Sequence, residues 1–222
     1  MFLKFSEKHL ENTMTQGQNK KLQEAWNSRW ESSHTGRHST FLSRRMMKTK
    51  KKTLRKILEN IDAKTVVDVG CGIGRTLEVF RDAGLDYLGI DASSEAISIC
   101  RKKQLCVLHK DLDEVEETYD LVFSDGMLEH FLNFEPYAKK MMQISKKYVL
   151  LIQPNHGSIV GKTLVYFAEL LCGRINVYEY NYRIQDFIET FEANDFSINQ
   201  NHSIFLDVYR ILLFKRKTSK QL

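Results

Sequence analysis

Three glycines, Gly70, Gly72 and Gly74, alternate directly behind the apolar run "TVVDVG" and ahead of the amphipathic "RTLEVFRDAG". Asp68 precedes them, giving D-x-G-x-G-x-G. Two more acids close the next two apolar runs, Asp91 in "DYLGID" and Asp111 in "QLCVLHKD". Glycines at a strand end let the chain turn sharply and let a ligand approach where a Cβ would stand. A helix starting just beyond them offers unpaired N–H groups. A carboxylate about 20 residues further on can accept from ribose hydroxyls. These residues suit the binding of an adenosine-bearing cofactor. A dinucleotide fingerprint needs G-x-G-x-x-G, but Arg75 holds the sixth position, and no Gly-Lys-Ser/Thr follows to make a phosphate loop.

A second group of reactive types sits in "YDLVFSDGMLEHF", where Asp125, Glu129 and His130 are candidates to take a proton from an acceptor. His156, after "QPN", is a further candidate. His34, His38, His109 and His202 read as surface or packing residues, and Cys71 as a small residue in the turn. Trp26 and Trp30, at i and i+4, suit either core anchoring or a lid.

The elements that must position these groups follow from periodicity. Leu54, Ile57, Leu58 and Ile61 mark a first helix at i, i+3, i+4, i+7. Strands are expected at 65–70, 86–91, 104–111, 119–126 and 147–155, with helices at 75–84, 93–103 and around Pro136 to Ser145. That alternation implies a parallel sheet covered on both faces. A helix at 182–195 carries Ile184, Phe187, Ile188 and Phe191 on one face. Two strands follow it without a helix between them, so they must pair antiparallel. The expected fold class is α/β, a seven-stranded, mostly parallel sheet ending in an antiparallel hairpin.

Four segments in register, "VVDVGCGIG", "YLGIDAS", "HKDLDEV" and "YDLVFSDGMLEHF", resemble the class I S-adenosylmethionine-dependent methyltransferases, in particular the type 11 small-molecule group. The resemblance covers roughly Thr65 to Pro154. It implies S-adenosyl-L-methionine as cofactor and a Rossmann-like fold. Residue by residue, it implies that Gly70, Cys71 and Gly72, with Gly74 completing the turn, line the methionine part, with Asp68 ordering the turn and meeting the amino group. Asp91 would hold the ribose diol and Ala92 the adenine edge, while Asp111 and Leu112 would meet the adenine. Ser124 and Asp125 would lie near the sulfonium; a Glu-His pair at this place is widespread in the family as a structural feature, so Glu129 and His130 stand as catalytic candidates on residue type alone. A related quinone-methylating group holds a divalent metal in this region, but Gly126 stands where one of its acids belongs, so no metal is expected.

Composition bounds the rest. The chain has 222 residues, 42% apolar and 27% charged, which suits one domain with an appendage. Residues 1–45 are expected to form an N-terminal extension, partly flexible and a candidate lid, with the methyltransferase domain over 46–222. The N-terminal segment is too charged for a secretory signal, and four cysteines show neither metal spacing nor a disulfide framework. A cytoplasmic protein without stable membrane insertion is expected, as a monomer or homodimer. The net charge of +5 is concentrated in "RRMMKTKKKTLRK", which holds eight basic residues; without them 25 basic side chains face 28 acidic ones. Lys48, Lys51, Lys52 and Arg55 share one helix face, read as solvated. No Asn/Asp-Pro-Pro-aromatic turn or Pro-Cys nucleophile is present, so a small-molecule acceptor is expected over nucleic acid. The alternatives are a macromolecular acceptor (RNA, protein or lipid) or binding without transfer. The long segment 155–183 is read as a helical insertion roofing the acceptor pocket, with the Trp26–Trp30 region beside it and little role for either in adenosine binding.

Overall fold

The structure, a computed structural model, describes residues 22–31, 41–158 and 179–218. Most of the 155–183 insertion, with Tyr166 and Tyr178, therefore lies outside the described residues, as do His34 and His38. Residues 22–31 form helix α1. Then come α2 (Phe41–Leu58), β1 (Thr65–Val69), α3 (Leu77–Asp82), β2 (Asp86–Asp91), α4 (Ser94–Lys102) and β3 (Val107–His109). After these run β4 (Tyr119–Asp125), α5 (Glu135–Ile144), β5 (Ser145–Pro154), α6 (Ile184–Glu192), β6 (Phe196–Ile204) and β7 (Tyr209–Arg216).

The seven strands lie in the order β3-β2-β1-β4-β5-β7-β6. Pairing is parallel from β3 to β5 and antiparallel for β5 with β7 and β7 with β6. The order reverses between β1 and β4, so the carboxyl ends of β1, β2 and β4 open onto one crevice. The expected fold is the observed one.

Strand alternation divides the core between two faces. Val66, Leu121, Leu150 and Leu213 meet Leu54, Ile57, Phe80 and Ile97 on the side of α2, α3 and α4. Val67, Val122, Leu151 and Phe214 meet Met141, Met142, Phe187 and Phe191 on the side of α5 and α6. A sheet buried on both faces explains why β1 and β5 read as continuous apolar runs. Ser93 caps α4 by accepting from Ala96 N, and Pro136 sits in the first turn of α5, where its missing N–H costs nothing.

Several boundaries differ from expectation. α2 begins at Phe41, so the domain's first helix already includes residues assigned to the extension, and it stops at Leu58, leaving Ile61 beyond its end. β3 pairs over only three residues, because Asp111 turns the chain into a short 3-10 helix, Leu112–Glu114.

Candidate functional site

The glycine turn is fixed from below and from the side. Gly70 N and Cys71 N both donate to Ile90 O, and Thr76 Oγ1 donates to Asp68 Oδ2 at 2.7 Å. Asp68 is 1% exposed, and burial pushes its carboxyl well above the usual carboxylate range, the Thr76 bond opposing that only in part. Asp91 binds backbone with both oxygens: Gly72 N donates to Oδ2 and Ser93 N to Oδ1, each at 2.8 Å. Burial raises its pKa against those two bonds. The carboxylate thus ties β1 to β2 at the crevice mouth. Gly72 needs its positive φ of 52°, and a Cβ there would come within 3.1 Å of the Trp30 ring.

A cavity of about 710 Å³ opens over this turn. Asp68, Gly70, Cys71, Gly72, Asp91 and Ala92 line it, as do Asp111 and Leu112. Its other arm is lined by Lys50, Asp125, Glu129, His130 and Tyr209. Lys50 Nζ lies 2.6 Å from Asp125 Oδ1 and 4.1 Å from the centroid of the Tyr209 ring. It is 5% exposed. Burial alone would lower the Lys50 pKa, but Asp125, Tyr209 and Glu129 outweigh it and hold the ammonium above the ordinary lysine value. Burial also raises the Tyr209 phenol.

Glu129 and His130 sit on a 3-10 turn, Leu128–His130, that follows β4. Gly126, at φ 73°, lets the chain fold back so that Glu129 Oε1 lies 3.0 Å from where a Cβ would stand. Glu129 is 4% exposed and its Oε2 has no hydrogen-bond partner among the described residues. Burial, with Glu179 and Asp125 nearby, pushes this carboxyl up to about 8. His130 packs against the edge of Trp26, centroid to centroid 5.1 Å.

α1 roofs both arms. Gln23 Nε2 donates to Ala92 O, Ser93 Oγ donates to Asn27 Oδ1 at 2.6 Å, and Trp26 stacks on Trp30 at 5.4 Å. The Trp26–Trp30 region was expected to leave the adenosine side alone. On the same helix Gln23 and Asn27 meet Ala92 and Ser93, which follow β2 at the crevice.

Two expected cofactor residues serve the scaffold. Ser124 is fully buried, donates its hydroxyl to Val69 O at 2.8 Å and does not line the cavity. Gly74 does not line it either: its φ is 73°, and a Cβ would meet Leu105 Cδ1 at 2.5 Å and Cys100 Sγ at 3.0 Å. Its role is close packing of the turn on α4. Asp111 lines the cavity but also caps the turn after β3, accepting from Asp113 N at 3.3 Å. The neighbouring Cys100 thiol and burial push the Cys71 thiol well up, which agrees with its reading as a turn residue without nucleophilic character. His156 lies outside the cavity lining.

Lys50 and Tyr209 were missed. Lys50 hid in the basic run, although it stands four and seven residues before Leu54 and Ile57 and so shares their buried face. Tyr209 had no signal beyond opening the last strand. No helix among the described residues is long and apolar enough to cross a membrane.

Residues 38–201 match the family model described as a methyltransferase domain. The ubiquinone biosynthesis O-methyltransferase of Aliivibrio fischeri is 33% identical over 87 residues, covering 33% of this chain and 37% of that enzyme. The pavine N-methyltransferase of Thalictrum flavum is 29% identical over 110 residues, covering 43% of this chain and 30% of that enzyme. The chain thus spans well under half the length of these curated relatives. In fold, it superposes on the magnesium protoporphyrin IX methyltransferase of Synechocystis with bound SAH at a TM-score of 0.65, at 18% identity, over 81% of this chain and 89% of the other. The family match spans the glycine turn, Asp91, Lys50, Asp125, Glu129 and His130, and leaves out α1 and Tyr209. The chain therefore belongs to the methyltransferase domain family and carries the class I fold of the S-adenosylmethionine-dependent enzymes.

Proposed function

We propose that this chain transfers a methyl group from S-adenosylmethionine to an oxygen or nitrogen of a small-molecule acceptor and releases S-adenosylhomocysteine. The observation that carries this is one continuous cavity with two chemically different arms. One arm offers a glycine turn without Cβ atoms and a carboxylate, Asp91, still open to donors from a ribose. The other offers Lys50, Asp125, Glu129 and His130. Its size of about 710 Å³ falls within the roughly 300–1,000 Å³ of small-molecule sites.

The bound cofactor would supply a methyl group already activated by the sulfonium. The chain's own task is then alignment, which can lower a barrier by about 7–11 kcal/mol. Asp91 orients the ribose, Asp68 and Gly70 to Gly72 hold the methionine end, and Leu112 and Ala92 flank the adenine. Glu129, with one orphaned oxygen and a pKa of about 8, is placed to take a proton from an acceptor that brings one. His130 is beside it. The cluster of α2 charges outside the cavity supports the small-molecule reading, since Lys51 pairs with Glu78 and Arg55 with Asp82 on the surface.

The test is transfer of tritium from methyl-labelled S-adenosylmethionine into a cell extract split by mass. Label in the low-mass fraction, reduced about tenfold or more by Glu129→Gln, is the expected result. Label confined to RNA, protein or lipid would overturn the small-molecule reading.

A further inference from the structure

Helix α1 is seated on the crevice through residues of the site itself. Trp30 lies against Gly72, its ring 3.1 Å from where a Cβ would stand. Asn27 Oδ1 accepts from Ser93 Oγ at 2.6 Å, and Gln23 Nε2 donates to Ala92 O. At the other arm Trp26 packs edge to face with His130. Gly72 and Ser93 are also the residues whose N–H groups donate to Asp91, so α1 bridges across that carboxylate. The helix has little hold on the core. Among the described residues, none of its side chains is fully buried, and none packs on the apolar cluster of either sheet face. Its neighbour α2 differs, burying Leu54 and Ile57 in one of those clusters. An element seated by a few polar bonds and half-buried rings opens at less cost than one sharing the core, and moving lids are drawn from such elements.

We propose that α1 is a lid that lifts off Gly72, Ala92 and Ser93 to admit the cofactor and closes again over it, so that its opening sets the rate of cofactor exchange. This goes beyond the proposed function and rests on its placing of the ribose at Asp91, beneath the helix. The lid's seat is made of the cofactor's own surroundings, so lid and ligand depend on the same few residues. Gly72 then has a second reason to lack a side chain, because a Cβ there would push Trp30 off its seat. Trp26, one turn before Trp30, carries the same movement to the acceptor arm through His130. The roof over both arms therefore opens and closes as one helix.

The experiment follows exchange of tritiated S-adenosylhomocysteine on the full chain. In the double variant Asn27→Cys with Ser93→Cys, at side chains already in contact, oxidation by dipyridyl disulfide ties α1 to the rim and dithiothreitol frees it. The chain is loaded with label while reduced. Oxidation should then slow release into excess unlabelled ligand about tenfold or more, and dithiothreitol should restore it. Trp30→Ala supplies a second measurement. Loss of the seat on Gly72 raises the open population, so association and dissociation should both quicken, each about threefold or more. A fixed wall that only touches the ligand would quicken dissociation alone. If the double variant does not fold or does not cross-link, Trp30→Ala decides. The inference fails if the cross-linked chain releases label as fast as the reduced one. It fails equally if Trp30→Ala quickens dissociation without association, or changes neither. Failure of the wild type to bind S-adenosylhomocysteine would instead remove the cofactor reading on which the inference stands.

Discussion

Asp91→Ala tests the cofactor arm at its most constrained point. The carboxylate accepts from Gly72 N and Ser93 N, and each oxygen has a lone pair left. A ribose diol would donate two further bonds. Hydrogen bonds to a charged group contribute about 1.5–3 kcal/mol each, and water competes in an open crevice, so we take about 3 kcal/mol for the pair together. That corresponds to roughly 150-fold in dissociation constant. The cost to stability should be smaller. The two freed N–H groups face the cavity, where water can replace the lost acceptor, so about 1–2 kcal/mol is expected. Calorimetry with S-adenosylhomocysteine and a thermal melt separate the two effects. A folded variant that binds within about twofold of the parent would refute the role given to Asp91.

Glu129 makes stability depend on pH in a stated direction. Its folded pKa of about 8 lies above the unfolded value of 4.5, so the native state holds a proton that the unfolded chain has lost, and stability falls as pH rises through that window. Glu129→Gln should therefore gain on the wild type between pH 5 and pH 8, by a few kcal/mol at most (~1.4 per pH unit), and parallel melting curves would contradict this. Where Glu129 takes the proton, wild-type transfer should also climb towards about pH 8, and the Gln variant should lack that limb. Charge reversal at Lys51, Lys52 and Arg55 together should leave cofactor affinity within about twofold, because exposed pairs contribute little; a larger loss would tie the basic face to the site.

Legibility in the sequence followed the local character of each signal. The glycine turn, Asp91 and the alternation of elements are written in short contiguous stretches, and the structure places them where periodicity puts them. The hairpin was legible too, because two strands with no crossover between them have one way to pair. Ser124 and Gly74 were assigned to the cofactor because they stand in its motifs. Whether a motif residue faces ligand or scaffold depends on pleat and packing partners, here Val69 O and Leu105. Lys50 shows the converse failure. Composition grouped it with seven other basic residues, whereas the helical period puts it with Leu54 and Ile57, four and seven residues on. Its partner Asp125 lies 75 residues away and Tyr209 still farther, and no local pattern encodes such a meeting. α1 likewise reached the ribose side through contacts with Ala92 and Ser93 that only the folded crevice creates.

The central claim is that the glycine turn and Asp91 bind an adenosine carrying a sulfonium, not a dinucleotide. Titrating the full chain with S-adenosylmethionine and, separately, with NAD measures it directly. Saturable binding of S-adenosylmethionine, weakened about tenfold or more in Asp91→Ala, with NAD binding far more weakly, is the expected result. Tighter binding of NAD would contradict it.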